Sequence, residues 1–174
     1  MTPAPNILIC GTPGTGKSTL CTELSNKFNN SLYHPVSEIA ETNNFYEGYD
    51  QALQTKILDE DKLLDELETR LGNERDPSII NIVEYHHSEL FPERWFDLVV
   101  CLRTDNTILF ERLENRNYGR NKIENNVQSE IFGDLAEEAR ESYASKTVIE
   151  LPSNDLDDME ENLEKICSWI ENFS

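Results

Sequence analysis

Positive charge is scarce in this sequence. Fifteen Lys and Arg face 34 Asp and Glu, a formal net charge of −19. Such a surface repels nucleic-acid phosphates and anionic lipid, which excludes direct high-affinity nucleic-acid binding and attracts basic partners. Long apolar runs are missing as well. The longest, Leu98 to Leu102, falls far short of the ~18 residues that a membrane span needs. The opening Met1-Thr-Pro-Ala-Pro-Asn6 has neither a basic leader nor a signal-type apolar stretch, so a soluble, non-secreted chain is expected. Cysteine is sparse: Cys10, Cys21, Cys101 and Cys167 lie far apart without a C-x-x-C pair, which speaks against a disulfide framework or a zinc site. Cys10 and Cys101 fall in apolar, strand-like runs, where a thiol behaves as a small hydrophobe.

What is present is an alternation of two periodicities. Apolar runs at residues 6–10, 32–36, 79–84, 97–103 and 146–151 read as five strands, and their continuous apolar character suits a parallel sheet buried on both faces. Between them lie helical patterns at 17–28, 59–71 and 108–116. Ile123, Val127, Ile131, Leu135 and Ala139 recur at four-residue steps and predict one long helix. A last helix at 155–173 carries Leu156, Met159, Leu163, Ile166 and Ile170 on one face, with Asp155, Asp157, Asp158, Glu160 and Glu161 crowding its positive end. Strand–helix alternation over 174 residues, with no linker or repeat, predicts one doubly wound α/β domain with helices on both faces.

One motif carries chemistry. Gly11-Thr-Pro-Gly14-Thr15-Gly16-Lys17-Ser18 fits G-x-x-x-x-G-K-[ST] in full, a match that chance supplies in about one chain of this length in a hundred. A buried strand precedes it and an amphipathic helix follows, as a P-loop requires. The glycines let backbone N–H groups turn inward around phosphate, the helix N-terminus adds partial positive charge, and Lys17 adds a full one. Ser18 is the expected Mg²⁺ ligand. A GTPase would need N-K-x-D after a later strand. The nearest approach, Asn121-Lys122-Ile123-Glu124, ends in Glu and opens a helix. A compact chain whose P-loop starts at residue 11 fits a nucleoside-monophosphate kinase.

Such a kinase needs a carboxylate at the end of a core strand. Ile82-Val83-Glu84 supplies one, and Glu84 is the second expected metal ligand. Tyr85-His86-His87 follows. If the strand persists, Glu84 and His86 share a face, and His86 beside a metal-bound phosphate can order water or relay a proton. A plain strand cap is the alternative for His86.

Seven segments together resemble the adenylate kinase isoenzyme 6 family: Pro5-Asn-Ile-Leu-Ile9, the P-loop, Tyr46-Glu-Gly-Tyr-Asp50, Ile57-Leu-Asp-Glu-Asp61, Phe91-Pro-Glu-Arg-Trp95, Leu102-Arg-Thr-Asp105 and Glu111-Arg-Leu-Glu-Asn-Arg116. The resemblance spans about residues 5–172. It implies a P-loop nucleoside-monophosphate kinase fold over 1–174, with a monophosphate-binding subdomain at about 34–57 and a short lid at about 115–125. The implied activity is transfer of the γ-phosphoryl of MgATP to AMP, with slow ATP hydrolysis, by a monomer. The implied setting is small-subunit (18S rRNA) maturation in nucleus and cytoplasm, beside a ribosomal protein with a basic tail. By position, Gly14, Thr15, Gly16, Lys17, Ser18 and Thr19 hold the ATP phosphates, Arg116 stacks on adenine, and Arg94 reaches the transferred phosphate. Lys122 stands where larger adenylate kinases carry a catalytic arginine, and Arg103 and Arg112 are open between site roles and surface ion pairs. Two residues depart from the family pattern: Glu84 replaces Asp, and Glu41 follows Ala40 where a basic residue is usual. The second departure predicts weak AMP binding unless Lys56 or Arg94 compensates. The alternative function is then an ATP-gated assembly factor that binds a basic ribosomal protein with little AMP kinase activity.

Overall fold

The computed structural model describes residues 2–174. Five strands, β1 (Asn6–Cys10), β2 (Ser31–Pro35), β5 (Ile80–Glu84), β6 (Leu98–Arg103) and β7 (Val148–Pro152), form one sheet in the order β2-β5-β1-β6-β7. Every pairing in it is parallel, as the doubly apolar runs predict. β3 (Tyr46–Asp50) and β4 (Thr55–Leu58) form a separate antiparallel hairpin. The helices are α1 (Lys17–Lys27), α2 (Val36–Asn43), α3 (Glu60–Leu71), α4 (Asn106–Asn115), α5 (Arg120–Phe132), α6 (Asp134–Ser142) and α7 (Leu156–Glu171).

The two-residue period of the strands divides the core between two faces. Leu8, Cys10, Val83, Val99 and Cys101 pack with residues of α2, α3 and α6 on one side. Ile7, Ile9, Ile82, Val100 and Leu102 pack with Leu20 and Leu24 of α1 and Ile166 and Ile170 of α7 on the other. Helices therefore cover both faces. A third, smaller cluster of Leu109, Leu113 and Ile123 joins α4 to α5.

Helix starts follow their capping residues. Asp59, Asp105 and Asp155 each accept a backbone N–H of the first turn that follows, starting α3, α4 and α7. The expected single helix through 123–139 is corrected to two. Four residues advance a helix by about 400°, so strict four-residue steps drift about 40° each and cannot hold one face over four steps. Gly133, at φ 67° and ψ 32°, ends α5 and opens α6, leaving Ile131 and Phe132 in solvent. The hairpin β3–β4 lacks any buried residue, so no apolar pattern announces it.

Candidate active site

The central strand β1 ends at Cys10, and the chain turns there into the P-loop, outside the carboxyl ends of the sheet, where such folds bind ligands. Two glycines are required by geometry. A Cβ at Gly11, whose φ is +139°, would lie 2.8 Å from the Leu102 carbonyl oxygen. Gly16 caps α1 at φ 91°, a conformation that costs other residues strain. The loop is braced from behind. Thr15 Oγ1 donates to Thr12 O at 2.8 Å, and the Arg112 guanidinium donates to the carbonyls of Gly14, Ser153 and Asn154 at 3.2, 3.0 and 3.0 Å. Arg112 is thus a scaffold of the loop, neither a free site cation nor a surface ion pair.

Lys17 is buried at 7% exposure, and its Nζ donates to Gly11 O at 2.9 Å and Thr12 O at 3.1 Å. Desolvation pulls its pKa down to about 8, while the Glu84 charge resists that fall. Glu84, at the end of β5, accepts a hydrogen bond from the Tyr33 hydroxyl on β2. Ser18 and Thr19 lie in the first turn of α1, Ser18 exposed. The hydroxyl of Ser18 and the carboxylate of Glu84 are hard oxygen donors on the two elements that flank Lys17. A small oxygen donor set of this kind fits Mg²⁺, which keeps several of its waters.

Strand β5 stops at Glu84, so His86 does not continue its alternation; its carbonyl accepts from Gly11 N at 3.4 Å. The side chain nevertheless lines the same cleft as Lys17 and Glu84. Burial, then the neighbouring His87, Lys17 and Lys122, push its pKa down to about 3. At neutral pH the ring is uncharged, with one nitrogen a donor and the other an acceptor.

The cleft has a volume of about 500 Å³, ample for a nucleotide. Residues 52–55, the hairpin turn and the first residue of β4, line the cleft together with Asn121, Lys122 and Asn125 of α5 and Arg116. Lys122 Nζ lies 4.3 Å from the Tyr118 ring centroid. On the far side of the P-loop a second depression is lined by Gly14, Gly16, Thr19, Arg112, Arg116 and Met159. Arg116 therefore borders both.

Arg94 is not brought to the cleft. It sits in a short 3₁₀ turn, Glu93–Trp95, where its guanidinium pairs with Glu68 at 3.0 Å. The carbonyl of the adjacent Trp95 is bonded by Asn6, at the opposite end of β1 from the P-loop. The length of the strand separates the two, which overturns the expected phosphate contact. Glu41 pairs at the surface with Lys56 at 3.3 Å and accepts the Tyr46 hydroxyl at 2.9 Å. The Tyr46 hydrogen bond, then the Lys56 contact, hold its carboxyl below the ordinary range.

Glu130 is a site residue that sequence reasoning missed. Only 4% exposed, its carboxylate accepts Thr12 Oγ1 at 2.8 Å, Thr104 N at 2.8 Å and Arg103 Nε at 3.1 Å. It ties α5 to the first turn of the P-loop. Arg103, left open by the sequence, is spent on Glu130 and Glu150.

This arrangement defines a P-loop nucleotide kinase. Residues 7–133 match the family described as AAA domain. The chain is similar over its full length to a solved structure of thymidylate kinase from Candida albicans, at a TM-score of 0.61 and 16% identity, covering 95% of that chain. It is 46% identical to an adenylate kinase isoenzyme 6 homolog of Caenorhabditis elegans, over 97% of this chain and 91% of that one. It is 45% identical to the homolog FAP7 of Saccharomyces cerevisiae, over 95% of this chain and 81% of that one. The chain belongs to the adenylate kinase isoenzyme 6 family.

Proposed function

We propose that this chain binds MgATP in the P-loop and passes the γ-phosphoryl group to AMP and to water, with AMP the weaker acceptor. Lys17 and the backbone N–H groups of the loop hold the β- and γ-phosphates, and Arg116, facing both depressions, clamps the base side. Ser18 and Glu84 are the residues that would hold Mg²⁺, which would supply charge neutralisation in phosphoryl transfer. Neutral His86 orients the attacking water through a ring nitrogen.

The observation that supports weak AMP phosphorylation is the disposition of the arginines. Arg70, Arg94, Arg103, Arg120 and Arg140 are paired with carboxylates. Arg75 and Arg112 donate to backbone carbonyls, which leaves Arg116 alone among the arginines at the cleft. Toward α2 and the hairpin the cleft is lined by the uncharged Ser37, Gln54 and Thr55, while its cations Lys17, Arg116 and Lys122 stand on the P-loop helix and the segment from α4 to α5. Glu41 lies one helical turn beyond Ser37 on the same face of α2. A dianionic phosphate meets little positive charge there, whereas water needs none. Single turnover of γ-labelled ATP tests this reading. Label is expected chiefly in inorganic phosphate, with a minor share in ADP at millimolar AMP; efficient capture of label by AMP would contradict it.

The family relation and the net charge of −19 support a setting as well: an ATP-gated factor of small-subunit maturation, in nucleus and cytoplasm, that binds a ribosomal protein with a basic tail. Helix α7 adds Asp157, Glu160, Glu161 and Glu164 to this acidic surface.

A further inference from the structure

We propose that Tyr33 is a positioning residue that fixes the Glu84 carboxylate for the phosphoryl-transfer site. The inference rests on the function proposed above and adds a residue that no sequence motif marks. In the parallel pairing of β2 with β5, Tyr33 lies opposite Ile82 and Pro35 opposite Glu84. Alternate residues share a face, so Tyr33, Ile82 and Glu84 all point to the side of the sheet that α1 covers, the side on which Ile82 and Tyr33 pack against Leu20 and Leu24. There the Tyr33 hydroxyl donates to Glu84 Oε1.

A glutamate needs such a partner. Its carboxylate hangs on one more rotatable bond than that of aspartate, and an unheld carboxylate samples several rotamers beside the P-loop. With Oε1 fixed by Tyr33, Oε2 accepts no hydrogen bond from the described residues and is left for the metal-bound phosphate region, next to the Lys17 charge. The hydroxyl therefore does for Glu84 what shortening the side chain would do by geometry. Glu84→Asp draws the carboxylate back by about one bond length, ~1.5 Å, out of reach of Tyr33.

A cycle of Tyr33→Phe, Glu84→Asp and the double variant tests this in the full chain. Three readouts are expected to move. Without nucleotide or metal, Tyr33→Phe lowers the unfolding midpoint of the wild-type chain and has no effect on that of the Glu84→Asp variant. With a non-hydrolysable ATP analogue bound, Mn²⁺ measured by electron paramagnetic resonance binds about 10-fold more weakly to Tyr33→Phe, while analogue affinity without divalent cation is unchanged. The KM for MgATP rises by a similar factor, as the closed binding cycle requires, and the turnover number falls with it. Equal costs of Tyr33→Phe in both backgrounds, or wild-type Mn²⁺ affinity, would overturn the proposal. A wild-type protein that fails to turn over MgATP, yet shows the coupling in unfolding, would instead overturn the proposed function and leave the Tyr33–Glu84 link standing.

Discussion

Raising the pH should weaken nucleotide binding through one residue, Lys17. Its pKa stands near 8, against an ordinary 10.5, because burial removes the ammonium from water. MgATP phosphates are counter-charges that restore the protonated form, so binding is strong only to the ammonium, or takes up a proton to make it. For a pKa of about 8, the ratio of unprotonated to protonated lysine grows from about 0.3 at pH ~7.5 to about 30 at pH ~9.5. The apparent dissociation constant of a non-hydrolysable ATP analogue should therefore rise roughly 25-fold across that interval, about 2 kcal/mol. The neighbours do not obscure the effect. Burial holds the Cys21 thiol well above its ordinary value, and both the Cys101 contact and burial do the same for Cys10. His86 is neutral throughout. His87, whose pKa is raised by its bond to Glu138, is removed by working in a His87→Asn background. Calorimetry in buffers of different ionisation enthalpy should show uptake of close to one proton near pH ~9. Stability changes in the opposite sense. Between about 8 and 10.5 the unfolded chain binds the proton that native Lys17 has lost, so this residue's contribution to stability rises with pH over that window. Constant affinity between pH ~7.5 and ~9.5, with no proton uptake, would refute the reasoning.

Three further outcomes are expected. His86→Ala should lower the rate of ATP hydrolysis at least about tenfold and leave ATP-analogue affinity within about twofold, because ordering water counts in the transition state alone; equal losses of binding and turnover would make His86 a structural cap. Glu41→Arg should lower the KM for AMP severalfold and leave that for ATP unchanged, since it replaces a carboxylate by a cation one turn from Ser37 and releases Lys56 from its ion pair; unchanged constants in steady-state kinetics would make Glu41 an ordinary member of the acidic surface. Binding to the basic tail of a small-subunit ribosomal protein, followed by calorimetry, should weaken markedly as ionic strength rises from ~0.05 to ~0.5 M and the screening length falls from roughly 14 to 4 Å; a salt-independent affinity would point to an apolar interface.

Legibility in the sequence followed sequence distance. The P-loop is contiguous, and its strand and helix flank it directly, so its residues, the parallel sheet and the two-faced core could be read from local pattern. Glu84 was legible because it ends an apolar strand. The bracing residues were not: Glu130 meets Thr12 across 118 positions and Arg112 meets Gly14 across 98, and no spacing rule connects such pairs. Arg94 shows the converse. It stands in a conspicuous motif, yet that motif packs beneath the sheet through Phe91 and Trp95, and its charge is directed to Glu68. The break at Gly133 was hidden because four-residue spacing imitates a helical stripe over two steps and fails only over four.

The central claim, that the P-loop is the site of ATP turnover, is tested most directly by ADP formation from MgATP in the wild-type protein and in Lys17→Ala. Removing the lysine takes away a full positive charge where charge develops in the transition state, an effect of several kcal/mol. It also relieves the burial of an ammonium, so folding should be retained, as a thermal unfolding midpoint would show. The account predicts turnover by the wild-type protein and less than about a hundredth of it in the folded variant. Retention of more than about a tenth would contradict the assignment of Lys17 and, with it, the site.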